Sequence, residues 1–100
     1  MKEKPIAEVT LAGDLDLSQW AEVAADLPAP DEFSRVVIDC STVTSMDSPV
    51  VSVLLRYRRA FVAAGNDPLN IVILASPQVQ RLFDISGVAK LVTVIPPAVV

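Results

Sequence analysis

Four aspartates lie where predicted strands end, and carboxylates placed there could bind a cation. Asp14 and Asp16 follow the first predicted strand, and Asp39 and Asp47 lie at and beyond the end of the second. Ligands of open α/β sheets usually bind at this edge, so four converging carboxylates would offer oxygen ligands to a divalent cation. The alternative is that Asp14, Asp16 and Asp47 cap helices while Asp39 accepts hydrogen bonds from turn amides. The second interpretation is favoured because the spacing matches no established cation loop, and we expect no metal site.

Ser48 is the second candidate, because Ser48-Pro49 reads as the start of a helix. Serine is a preferred N-cap, and proline is favoured at the first helical position. A solvent-facing hydroxyl there would lie beside the free amides of the first turn, which would accommodate a phosphate. The phosphate would add about two negative charges next to Asp47 and repel a partner that covers this helix end. Spacing alone favours the simpler alternative, in which Ser48 is only an N-cap.

The composition excludes most classes of enzyme. The 100-residue chain has no histidine and one cysteine, Cys40. Histidine-dependent nucleophile chemistry, an internal disulfide and the usual zinc sites are therefore excluded. The sequence also lacks a glycine-rich phosphate loop. We expect a single non-enzymatic domain over residues 1–100 that needs no cofactor.

Charge and hydropathy restrict the partners. The net charge is −4, and the one basic cluster, Arg56 with Arg58 and Arg59, reads as a solvated helix face. Nucleic acid is therefore not an expected partner. No uncharged stretch approaches the roughly 20 residues of a membrane helix, and the charged start of the chain is unlike a signal peptide. These features predict a cytoplasmic protein that is not inserted in a membrane.

Strands and helices alternate along the chain. The predicted strands cover residues 6–11, 35–40, 69–75 and 91–95, and the two longer helices cover residues 18–27 and 48–64. A short third helix starts at Ser76-Pro77 and is closed by Gly87. Gly13 is expected to end the first strand, and Ser41 to Asp47 to form a connection. The second strand shows an apolar run without alternation, which predicts that both of its faces are covered. The pattern is typical of an α/β domain in which helices pack on a mostly parallel sheet.

Three segments together resemble the STAS domain, which is the domain of bacterial anti-sigma factor antagonists. They are Gly13-Asp14-Leu15-Asp16, then Val36 to Ser41 followed by Met46-Asp47-Ser48, and, most specifically, Arg81-Leu82-Phe83-Asp84-Ile85-Ser86-Gly87. The resemblance covers about residues 6–95. It implies a single-domain STAS-like fold with a four- to five-stranded mixed, mostly parallel sheet and helices packed on one side.

The resemblance also implies a function and a site. Members of the family bind an anti-sigma factor that is itself a serine kinase, and so release a sigma factor. Phosphorylation of the serine that follows the Asp of the Met-Asp-Ser segment breaks the complex. That position is Ser48 here, and Asp16 matches an acidic position close to it. The implied partner-binding residues are Asp14, Asp16, Asp47, Ser48, Pro49, Val50 and Val51.

Pro49 and Val50 depart from the family, which usually has Ser or Thr and then Gly at these positions. Pro49 removes a backbone amide, and Val50 prevents the close backbone approach that glycine allows. The departure favours, as an alternative, a phosphorylation-independent STAS accessory subunit of a lipid-transport ABC system or of a stressosome-like complex. If exposed, Val50 and Val51 would favour a standing protein contact. A homodimer that covers an open sheet edge is a further expected partner.

Overall fold

The structure is a computed structural model that describes residues 4–97. The strands are β1 (Ile6–Leu15), β2 (Arg35–Met46), β3 (Ile71–Ala75) and β4 (Thr93–Ile95), and the helices are α1 (Trp20–Asp26), α2 (Ser48–Ala63) and α3 (Pro77–Ser86). The strand order is β1-β2-β3-β4, and all three pairings are parallel. The expected α/β fold is confirmed. The antiparallel part of the expected mixed sheet does not occur within residues 4–97.

The pair β1–β2 is longer than the sequence predicted. Gly13 does not end β1. It lies inside the strand with φ of 75°, between two shifts in the pairing register. Both shifts place one extra residue on β2, and glycine adopts the left-handed conformation at little cost, so β1 follows this irregular pairing and continues to Leu15. The predicted connection after Ser41 is likewise wrong, because β2 continues to Met46 and pairs with the continuation of β1.

The helices cover one face of the sheet. Along β2 the side chains of Val36, Ile38 and Cys40 are buried, whereas Val37 and Asp39 between them are only half-buried. The same alternation occurs along β3. The prediction that β2 is covered on both faces is therefore wrong for the described residues, and the expectation of helices on one side is confirmed.

The core lies between the covered face and the helices. Helix α2 contributes Tyr57 and Phe61, whose ring centroids are 6.2 Å apart, and α3 contributes Phe83. The Tyr57 hydroxyl donates to the Pro28 carbonyl at 2.6 Å, which holds the segment after α1 against α2. Burial raises the pKa of the Cys40 thiol to about 12, so this cysteine remains a thiol packed in the core.

Within residues 4–97, no helix is both long and apolar enough to cross a membrane.

Candidate functional site

Asp47 connects three elements at one end of the molecule. Its backbone N–H donates to the Leu15 carbonyl at 3.0 Å, where β1 ends. Its carboxylate accepts from the Leu17 N–H at 2.9 Å, where a 3-10 turn begins. Asp47 is also the N-cap residue of α2, with extended backbone angles. The expectation that Ser48 is the N-cap is therefore wrong. Ser48 is the first residue of the helix, and it is exposed.

The first turn of α2 offers fewer free amides than the sequence suggested. Pro49 has no N–H, and the amides of Val50 and Val51 both donate to the Asp47 carbonyl, at 3.0 and 3.2 Å. A phosphate on Ser48 would therefore meet little of the amide cradle that a helix start usually provides. It would instead lie beside the carboxylate of Asp47, so charge repulsion outweighs accommodation at this position.

Asp14 and Asp16 have structural partners of their own. The Asp16 carboxylate accepts from the amide and the hydroxyl of Ser18, at 2.9 and 2.5 Å, and so caps the 3-10 turn. The Asp14 carboxylate accepts from the Ser45 hydroxyl on β2 rather than capping a helix. Capping is confirmed for Asp16, and for Asp14 it is replaced by a contact between strands.

Asp39 does not join the other aspartates. It pairs with Thr10 in the middle of the β1–β2 ladder, whereas Asp14 pairs with Ser45. Along β1, four positions separate Thr10 from Asp14, which is about 13 Å. Its carboxylate accepts from the Ser41 hydroxyl and amide, and these bonds lower the pKa of Asp39. Residues 4–97 contain no cluster of three or more His, Cys, Asp or Glu side chains that could hold a metal ion.

Val50 and Val51 face the core. Their exposed fractions are 0% and 9%. The interpretation of these two as partner-contacting residues required exposure, so it is wrong. Val53 and Leu54, three and four positions after Val50, are also buried, so the helical period places Val50 on the face of α2 that packs in the core. Pro49 remains half-buried at the surface.

A surface groove of about 410 Å³ begins at Ser48. Its lining residues are Leu17, Trp20, Ser48, Pro49, Ser52, Val53 and Arg56. Leu17 and Trp20 are 61% and 46% exposed and line the same groove, so this groove presents two large apolar side chains to a partner. A second groove of about 290 Å³ continues between α1 and α2 and shares Trp20, Val53 and Arg56 with the first. We call the two together the α1–α2 groove.

Sequence reasoning missed Leu17, Trp20 and Arg56. The apolar residues at positions 17, 20, 21, 23, 24 and 27 follow helical spacing, so Leu17 and Trp20 were expected on the buried stripe of the first helix, and Arg56 was expected on a solvated face. Helix α1 has only seven residues and buries only Val23 among them. Leu17 lies outside α1, in the 3-10 turn Leu17–Gln19, and no local pattern distinguishes this turn from a first helical turn.

The groups at this end of the molecule are suited to binding another protein. The site combines an exposed serine hydroxyl, a neighbouring carboxylate, exposed apolar side chains and one arginine. These groups can bind a protein surface, and the hydroxyl can accept a modification.

Comparisons with known proteins agree with this architecture. The family model described as "Mlab, STAS domain" matches residues 3–93. Seven chains of solved structures match, among them the anti-sigma factor antagonist SpoIIAA in its unphosphorylated form. The SpoIIAA structure is 19% identical, covers 95% of this chain and 84% of its own, and superimposes with a TM-score of 0.73. At this identity the likeness shows a shared fold. No curated protein sequence matches the chain.

Proposed function

Since the chain belongs to the STAS domain family, we propose that it is an anti-sigma factor antagonist whose partner binding is regulated by phosphorylation of Ser48. One observation carries the proposal. The Ser48 side chain is exposed at the first position of α2, on the rim of a groove that also exposes Leu17 and Trp20. A partner that buries these two apolar side chains would cover the hydroxyl as well.

Phosphorylation would break such a complex electrostatically. A phosphoserine carries about −1.5 to −2 charges at neutral pH. On Ser48 this charge would lie next to the Asp47 carboxylate, with Pro49 supplying no amide to offset it. Covering two adjacent anions with a protein surface costs desolvation free energy as well as repulsion. The exposed free state tolerates the phosphate, so the modification shifts the equilibrium toward the separate proteins.

The proposal assigns no catalysis to this chain. The partner, a serine kinase of the anti-sigma class, supplies the phosphoryl transfer, and both proteins act in the cytoplasm. SpoIIAA, which shares the fold, is an anti-sigma factor antagonist, and this likeness supports the assignment.

The direct test is phosphorylation by the cognate anti-sigma kinase with ATP, followed by mass spectrometry. We expect one phosphate on the wild-type chain and none on Ser48→Ala. Ser52→Ala is the matched control, because Ser52 lines the same groove one helical turn later; it should accept one phosphate as the wild type does. A wild-type chain without phosphate, or with phosphate elsewhere, contradicts the proposal.

A binding measurement separates the switch from mere modification. Ser48→Asp should weaken binding to the anti-sigma factor by at least about tenfold, which corresponds to about 1.4 kcal/mol. Ser48→Asn introduces a side chain of nearly the same size as aspartate but without its charge, and it should change the affinity for the anti-sigma factor far less. Equal affinities for the two variants would show that charge at this position does not control the complex.

A second function is favoured by Pro49 specifically. Because Pro49 removes an amide at the start of α2, the chain is poorly suited to hold a phosphate there. A phosphorylation-independent accessory subunit of a lipid-transport ABC system or of a stressosome-like complex would need no such cradle. Co-purification with an ATPase subunit, and affinity unchanged by Ser48→Asp, would support this function over the first.

A further inference from the structure

The second face of the sheet carries no helix in the part of the chain that the structure describes. Val37 on β2 and Val72 and Leu74 on β3 lie side by side on this face, and all three are half-buried. None of them is among the partly buried apolar side chains that pack against the core between the sheet and the helices. We call this surface, on the side of Val37, the open face.

An open face is unusual for this kind of sheet. Sheets in which all strands are parallel occur almost only with both faces covered, and their strands read as continuous apolar runs. Both β2 and β3 have such runs, Val36-Val37-Ile38 and Ile71-Val72-Ile73-Leu74. Within these two runs, the side chains that point away from the helices, those of Val37, Val72 and Leu74, are apolar too. Ile95 on β4 extends the apolar strip, and it is exposed.

The charges on this face are arranged symmetrically around Val37. Arg35 and Asp39 lie two positions before and two positions after it, so all three side chains are on the same side of β2. The two charged residues are about 13 Å apart along the strand, too far to pair with each other. Arg35 donates to the Asn70 side chain at 3.4 Å, and Asp39 accepts from Ser41.

This arrangement is self-complementary. We infer that the open face is a homodimer interface, in which two copies pack face to face with their β2 strands antiparallel across a two-fold axis near Val37. Arg35 of one copy then lies opposite Asp39 of the partner subunit, and the reverse pair forms at the same time. Packed sheets are about 10 Å apart, a distance that an arginine and an aspartate side chain span together. The apolar side chains of β2 and β3 are buried between the two packed sheets.

Glu8 gives the arrangement a second signature. Glu8 pairs with Val37 in the β1–β2 register, so it lies on the open face, directly beside Val37. The proposed two-fold axis runs across the strands near Val37 and therefore also passes near Glu8. In the dimer, Glu8 therefore approaches Glu8 of the partner subunit at the margin of the interface. Like charges at this margin weaken the dimer modestly, because solvent reaches them. Glu8→Gln should therefore tighten the dimer, by about twofold to fivefold.

The test is a charge-reversal experiment by analytical ultracentrifugation. Wild-type protein should show a concentration-dependent dimer. Arg35→Asp and Asp39→Arg each place like charges opposite one another twice, so each alone should raise the dimer dissociation constant by at least about tenfold. An equimolar mixture of the two variants restores opposite charges at both pairs and should form a heterodimer about as tight as the wild type.

The mixture also controls for folding, because a misfolded variant cannot be rescued by its counterpart. Arg81→Asp on α3 is a matched charge reversal away from the open face and should leave the dimer unchanged. A wild-type chain that stays monomeric up to several hundred micromolar overturns the inference, and so does a mixture that remains monomeric. If the wild type is monomeric and Val72→Lys weakens binding to the anti-sigma factor, the open face is assigned to that partner instead.

Discussion

Two helices of this molecule start with the same dipeptide and use it differently. At α3, Ser76 is the N-cap: it is 3% exposed, and its hydroxyl accepts from the Val79 amide at 3.2 Å. At α2, Ser48 is exposed and lies one residue inside the helix, and Asp47 is the N-cap. One serine stabilises its helix, while the other leaves its hydroxyl at the surface.

The preceding residue explains the difference. Ala75 has no polar side chain and is the last residue of β3, so the chain leaves the strand and Ser76 closes the first turn. Asp47 is held from two sides, by the Leu15 carbonyl and by the Leu17 amide, and this fixes the start of α2 one residue earlier. A Ser-Pro pair therefore predicts a helix start, but the residue before it decides whether the serine is structural or available for modification.

The largest expected effect is at the structural serine. Ser76→Ala removes the acceptor of the Val79 amide in a buried position and should lower the free energy of unfolding by about 1 to 2 kcal/mol. Ser48→Ala removes no such bond and should change it by less than about 0.5 kcal/mol. Urea denaturation of the two variants measures both values. Similar losses would mean that Ser48 also caps its helix in solution.

Asp47 should have the next largest effect. Asp47→Ala removes the acceptor of the Leu17 amide and should cost about 1 kcal/mol. Asp47→Asn retains an oxygen that can accept the same bond and serves as the matched control, with a smaller loss. Hydrogen exchange at the Leu17 amide should become faster in Asp47→Ala and less so in Asp47→Asn. Unchanged exchange in both would show that the bond does not hold the 3-10 turn.

The contrast between the two helix starts also shows what the sequence could predict. Features set by neighbouring residues were predicted well: Ser76-Pro77 begins α3, and Gly87 ends it with φ of 84°. The continuation of β1 through Gly13 was not, because a glycine in a strand pattern fits both a strand end and an irregular pairing. Only pairing with the extended β2, about 30 residues away, distinguishes them.

In the candidate site, too, only the features set by neighbouring residues were predicted. Ser48 and Asp47 were identified from the local motif, and both lie at the surface as expected. The burial of Val50 follows from its helical spacing, because Val53 and Leu54, three and four positions later, lie on the same buried face of α2. The exposure of Leu17 and Trp20 depends on how α1 packs against α2. Contacts between distant segments leave no local pattern in the sequence.

A smaller effect tests the prolines, which should behave alike at the two helix starts. Pro77 and Pro49 are both in the first turn, where no intrahelical N–H bond is lost. Pro77→Ala and Pro49→Ala should each lower the free energy of unfolding by about 0.4 to 1 kcal/mol, because the unfolded chain gains freedom. Thermal and urea denaturation provide the measurement. A gain in stability at Pro49 alone would show that the proline strains α2.

The smallest predicted effect is a coupling between Asp47 and Ser48. In Asp47→Ala the sequence before α2 becomes the same Ala-Ser-Pro that precedes α3, so Ser48 is free to take the capping position. Its hydroxyl would then accept from the Val51 amide, three residues later, as Ser76 does from Val79. Ser48→Ala should therefore cost about 0.5 kcal/mol more in the Asp47→Ala background than in the wild type, a coupling that a double-mutant cycle resolves. Zero coupling would mean that something other than the Asp47 side chain keeps Ser48 out of the capping position.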